Sequence, residues 1–196
     1  MGFKLHPVAA ALLGLAILAL SGCAKAVYAP DITVQEKAYT HDAPPSLTLL
    51  TMISNSTGSG GHSALLINGT QRVMYDPAGR FKSAALAERN DVLFGVKPAV
   101  LRQYNSFHAR DTHHILIQEV TVSPAVAELA MREALRQGAS HDAMCAMNTS
   151  DLLARIPGFE TIGSTWFPAK LAARFEKIPG VKTTRYYEAD TGQNYQ

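Results

Sequence analysis

The stretch Gly60-Gly61-His62-Ser63-Ala64-Leu65-Leu66-Ile67 decides how this chain is read. A glycine-rich loop over residues 55–61 runs into a histidine, and that histidine opens a short apolar run. Asn68-Gly69 predicts a tight reversal, because both residues tolerate positive φ, and Gln71-Arg72-Val73-Met74-Tyr75-Asp76 runs back. The expectation is a β-hairpin with His62 at the mouth of its buried first strand. The adjoining glycines leave room there for another group to approach. An imidazole so placed calls for a partner, and the nucleophile downstream is Cys145.

Working outward, residues 47–53 are rich in β-formers and predict the first core strand. Asp76-Pro77-Ala78-Gly79 is a turn, with Asp and Pro at its first two positions. Residues 81–89 are expected to form a short helix. Lys97-Pro98 breaks an apolar run, after which Tyr104, Phe107 and His108 either line a groove or pack. Residues 112–122 predict a strand. Ser123-Pro124 opens a helix as N-cap and first residue, with apolar side chains at helical spacing as far as Gly138. A second helix is expected over residues 144–156, capped by Ser140 or Asp142, which puts Cys145 in its first turn. A third covers residues 169–177, with Trp166 and Phe167 packing it, and a last strand covers residues 181–187. The mixture is α+β, with strands mostly in one antiparallel sheet against helices.

The first segment stands apart from this fold. Lys4 precedes an apolar run over residues 8–20, too short to span a bilayer comfortably and closed by Leu20-Ser21-Gly22-Cys23, so residues 1–22 read as a signal peptide. The closing tetrapeptide resembles a bacterial lipobox, which implies lipidation of Cys23 and a membrane anchor, each buried methylene adding about 0.8 kcal/mol. Ala24 after the cysteine favours, by resemblance to known lipoprotein sorting, the outer membrane, with the domain facing the periplasm. Residues 23–45 are polar, carry Pro30, Pro44 and Pro45, and are expected to be a tether. Residues 46–187 form one domain and residues 188–196 a polar tail. A net charge of +2 is too mild for a nucleic-acid partner. With scattered histidines and one cysteine there is no zinc spacing, and neither metal nor cofactor is expected. His108 and His141 are expected in surface loops.

The chain has two cysteines. If Cys23 carries lipid, Cys145 has no disulfide partner in an oxidising compartment, and such a thiol is more often functional than most. A thiol attacks as thiolate, and a helix N-terminus and a nearby imidazolium both lower its pKa. Cys145 has the first by its place, and His62 can supply the second. A third polar group would orient the far ring nitrogen. Asp76 leads, with Tyr75 as the alternative, since adjacent strand residues point to opposite faces.

These residues resemble the circularly permuted papain-like cysteine hydrolases, relatives of the NlpC-type cell-wall peptidases. Gly61-His62-Ser63-Ala64-Leu65-Leu66-Ile67 is similar to the family's histidine strand and residues 141–153 to its cysteine helix, in the permuted order, histidine first. Many permuted members place Asn before the cysteine and an aromatic after it, where this chain has Met144 and Ala146-Met147-Asn148. The resemblance implies a lipid-anchored envelope cysteine hydrolase, an amidase or peptidase with Cys145, His62 and Asp76 as its catalytic set. Peptidoglycan peptides are the first substrate class it suggests. Lipid acyl transfer or hydrolysis is another, and a non-catalytic envelope lipoprotein using the same fold is the reading from a different class.

Overall fold

A computed structural model describes residues 26–188; Cys23, the preceding apolar segment and most of the polar tail lie outside the described residues. The architecture is α+β. A seven-stranded antiparallel sheet has the order β4-β5-β3-β2-β1-β6-β7, formed by β1 (Ser46–Ser54), β2 (Gly60–Asn68), β3 (Arg72–Tyr75), β4 (Ala87–Arg89), β5 (Val92–Phe94), β6 (His113–Thr121) and β7 (Lys182–Tyr186). Five α-helices accompany it among the described residues: α1 (Asp31–Lys37), α2 (Pro98–His108), α3 (Pro124–Gln137), α4 (Cys145–Leu153) and α5 (Pro168–Phe175). The strands foreseen from residues 47, 112 and 181 and the His62 hairpin share this one sheet.

Strand alternation divides the interior into two cores. Leu47, Leu49, Leu65, Ile67, Val73 and Tyr75 face α3, α4 and α5, where they meet Ala130, Ala146, Leu152, Leu153, Leu171 and Phe175. Leu50, Met52, Ala64, Leu66 and Met74 face the other way, onto Val100 and Tyr104 of α2 and onto Phe81. With both faces covered, the central strands are buried over most of their length, including at Thr48, Thr51 and Ser63, as in a sheet packed on both sides.

Four local expectations are corrected. The Asn68-Gly69 reversal forms, but Asn68 pairs with Arg72, so the connection has three residues, and neither Asn68 nor Gly69 takes positive φ. Gly69 is needed for clearance instead: a Cβ there would stand 2.6 Å from Glu128 Oε1, which accepts the Thr70 N–H at 2.7 Å. Residues 81–89 form no helix. Phe81 turns inward to meet the Tyr104 ring edge-on at 5.2 Å, and Ala87 to Arg89 pair with β5. Pro98 opens a helix rather than only breaking a strand, since its fixed φ and missing N–H suit a first helical residue. Trp166 and Phe167 do not pack α5; they are 54% and 67% exposed.

The expected tether is docked from Val27 onward. Ala29 N–H donates to the Glu88 carbonyl at 2.9 Å and Asn90 N–H to the Val27 carbonyl at 2.8 Å. The Arg89 guanidinium lies 4.5 Å over the Tyr28 ring and pairs with Asp31. Further on, Arg72 N–H donates to Tyr39, and Asn68 Nδ2 to the carbonyls of Ala43 and Pro44. Ala29 and Val34 also pack against the core, but most of the hold comes from main-chain and polar contacts, so the segment has no sustained hydrophobic period.

Candidate active site

β2 is the element that makes the site. β3 pairs with it only from Leu65 to Asn68, so the half from Gly60 to Ala64 has β1 on one side and no strand on the other. Into that gap come the turn after β3, carrying Asp76, and the start of α4, carrying Cys145.

His62 shares its strand face with Ala64 and Leu66, and its Nε2 lies 2.7 Å from Asp76 Oδ1. Asp76 is buried and accepts a second bond at the same oxygen from the Tyr104 hydroxyl at 2.8 Å. Tyr75 points to the opposite face, into the core against α3–α5, so of the two neighbours Asp76 is the one that meets the imidazole. Cys145 lines the same cleft as His62, close enough for each to shift the other's protonation. With Nε2 held by Asp76, Nδ1 is the nitrogen left for sulfur. Cys145 is 8% exposed and opens α4, and the backbone N–H groups of Ser63 and Ala146 favour its thiolate form. The structure therefore brings the three candidate residues together. The helix has no side-chain cap; Met144 occupies the N-cap position in place of the foreseen Ser140 or Asp142.

The electrostatics follow from this crowding. Burial alone would push the His62 imidazole down, but the hydrogen bonds and negative charges of Asp76 and Cys145 outweigh it and lift the pKa from 6.5 to about 10. Burial alone would raise Cys145; the bond to His62 and its positive charge, followed by the two backbone donors, bring the thiol below 9.0. Burial would likewise raise Asp76, and the bond and charge of His62, the charge of His108 and the Tyr104 hydroxyl hold it below 3.8. The arrangement favours a thiolate and an imidazolium over a neutral pair.

His108 was foreseen in a surface loop and stands instead on α2, stacked on His62 with ring centroids 5.7 Å apart and planes at 10°. Its Nδ1 donates to the Tyr104 carbonyl at 3.0 Å, and burial followed by the field of His62 contributes to a pKa lowered to about 4, which keeps it neutral beside the imidazolium. Of the three residues expected either to line a groove or to pack, Phe107 and His108 line the cleft and Tyr104 packs behind it; Pro98 followed by Val100, Leu101 and Tyr104 at helical spacing carried a signal for their helix. His113 and His114 open β6; the His113 ring lies beside Gly61, and His114 is bonded to Asn55.

An open cleft of about 480 Å³ reaches Cys145 and His62 between Gly61, Ala78, Gly79, Phe107, His108 and Ala143, with Arg80 and Asp142 on its rim. Ala78 and Ala143 hold φ of 57° and 64°, a conformation costly without glycine and met most often at functional sites. Gly79 has a steric reason: a Cβ there would collide with the Asp76 carboxylate. Chemically, the cleft presents a nucleophile, a proton carrier and a charged group that fixes the carrier. Among the described residues no cluster of three or more His, Cys, Asp or Glu could hold a metal ion, and no helix is long and apolar enough to cross a membrane. No family model, curated protein or solved structure matches the chain.

Proposed function

We propose that this protein is a cysteine hydrolase of the permuted papain-like kind, anchored to the bacterial cell envelope through a lipidated Cys23 and acting on an amide or ester. The observation that carries the reading is that Cys145 and His62 line one cleft while buried Asp76 holds the imidazole from behind, its Oδ1 2.7 Å from His62 Nε2. In the reaction, the Cys145 thiolate attacks the substrate carbonyl carbon and forms a C–S bond, while the carbonyl electrons move to oxygen. The Cys145 main-chain N–H, in the first turn of α4, is the donor expected to meet such an oxyanion. As the C–N or C–O bond breaks, His62 Nδ1 gives its proton to the leaving group. A thioester remains. The now neutral His62 takes a proton from water, hydroxide adds to the thioester carbon, and C–S cleavage releases the acid and restores the thiolate. Asp76 keeps its charge throughout and holds the ring in one orientation.

The envelope location rests on Leu20-Ser21-Gly22-Cys23, and it makes peptidoglycan peptides or membrane lipids the first substrates to assay. Membrane partition of the wild-type protein, with loss of partition in Cys23→Ala, tests the anchor. For the chemistry, iodoacetamide alkylation across pH in wild type and His62→Ala is decisive. The pair predicts wild-type reaction well below the free-thiol pKa of about 8.5, lost in the variant. Equal, ordinary thiol profiles in both would leave a binding lipoprotein as the better account.

A further inference from the structure

Asn90 and Asp91 form the reversal between β4 and β5, with φ of 46° and 69° and Arg89 paired to Val92 across it. Two residues of positive φ between paired neighbours make a type I′ hairpin turn. The turn lies beside the cleft and makes three contacts with it. The Asp91 carbonyl accepts the Asp76 N–H at 2.8 Å. Asp91 Oδ2 accepts the Ala78 N–H at 3.2 Å and the Ser140 N–H at 2.8 Å. Ala78 belongs to the turn that carries Asp76. Ser140 begins the approach to Cys145, and its hydroxyl accepts from Asn148 Nδ2 of α4 at 2.7 Å. One carboxylate oxygen thus joins the loop of the orienting group to the loop of the nucleophile, across the gap that β3 leaves open.

We propose that Asp91 is a positioning residue of this site: its carboxylate locks the Asp76 turn to the Cys145 approach and so sets the span that His62 bridges. The inference rests on the reading of Cys145, His62 and Asp76 as a working set. Its physical basis is that both clasped N–H groups lie in irregular backbone, where no strand or helix partner satisfies them, and that each bond is charge-assisted. Ala78 is also held in a left-handed conformation that a freed loop would leave. A shift of about 1 Å across the His62 bridge is enough to weaken the ion pair that lowers the thiol pKa.

Two substitutions separate the carboxylate from the turn. Asp91→Gly keeps the left-handed backbone without strain and removes the acceptor; Asp91→Asn keeps one acceptor oxygen. In the full-length chain, the pH profile of Cys145 alkylation by iodoacetamide is measured together with amide hydrogen exchange. Asp91→Gly is expected to move the profile toward an ordinary thiol by about one pH unit, a roughly tenfold loss of rate at neutral pH. The Ala78 and Ser140 amides should exchange faster while β1 amides keep their protection. Asp91→Asn should stay within about threefold of wild type, since it retains an acceptor. A wild-type profile in Asp91→Gly, or equal impairment in both variants, overturns the proposal. If Asp91→Gly loses β1 protection, Ser140→Pro replaces it, deleting one donor from the opposite side; a profile unmoved there overturns the proposal equally. His62→Ala run alongside distinguishes the failures: a profile insensitive to His62 defeats the catalytic reading, whereas sensitivity to His62 but not to Asp91 defeats only this inference.

Discussion

The two halves of β2 differ in what stands beside them. From Leu65 to Asn68 the strand is flanked by β1 and β3, and Leu65 and Ile67 are fully buried between sheet and helices. From Gly60 to Ala64 it has β1 alone as a strand neighbour, and the reactive groups gather there: Cys145 beside His62 in the cleft, and Asp76 on His62. One continuous strand therefore supplies both a core and a reactive edge. Ending a neighbouring strand five residues early frees main-chain donors and lets two loops and a helix start converge, while the paired half holds the whole in register. The difference teaches that stability and reactivity should separate along this strand.

Substitutions in the two halves sharpen or break that division. Ile67→Ala, in the paired half, should destabilise the fold by about 3 kcal/mol through lost burial and a residual cavity, with the Cys145 alkylation profile of the folded protein unchanged. Denaturant melts paired with the profile check this, and a profile shifted as far as in His62→Ala would erase the distinction. Asp76→Asn, at the open half, should lower alkylation at neutral pH by about thirtyfold, near 2 kcal/mol, because the neutral amide no longer stabilises the imidazolium. Gly79→Ala should do the same in milder form by displacing the carboxylate that its Cβ would strike. Tyr104→Phe is the smallest, about 1.5 kcal/mol in the pairing, through one hydrogen bond to the charged Asp76.

The same shifts set a pH window for stability. His62 is raised, so its contribution is complete below 6.5 and disappears as pH climbs through about 10. Asp76 is lowered, so its contribution is complete above 3.8 and disappears as pH falls through its depressed value. Thermal melts across pH should show a plateau between these limits, and Asp76→Asn should flatten the acid side.

How much of this was legible depends on range. The His62 strand, its return and the start of α4 announce themselves through local signals: glycines before an apolar run, Asn-Gly, and the helix signals around residue 144. Asp76 leads over Tyr75 in the sequence, but strand alternation alone says only that the two point oppositely, and it is the packing that puts Asp76 on the imidazole. Tyr104 and His108 were hidden in a helix whose opening Pro98 reads equally as a break. Asp91 was invisible for another reason: its role depends on a two-residue turn between three-residue strands, too short to show a period, and on partners 13 and 49 residues away. Docking of residues 27–45 was not legible because it rests on main-chain and scattered side-chain contacts that leave no hydrophobic period.

The most direct measurement is the protonation of His62 itself, followed by side-chain nuclear magnetic resonance as pH is raised in the wild-type protein and in Cys145→Ser. The account predicts an imidazolium that persists through neutrality and titrates near 10 in the wild type, and at a lower pH once the thiolate is removed. A His62 that titrates near the ordinary 6.5 and is indifferent to Cys145 would contradict the ion pair on which the account depends.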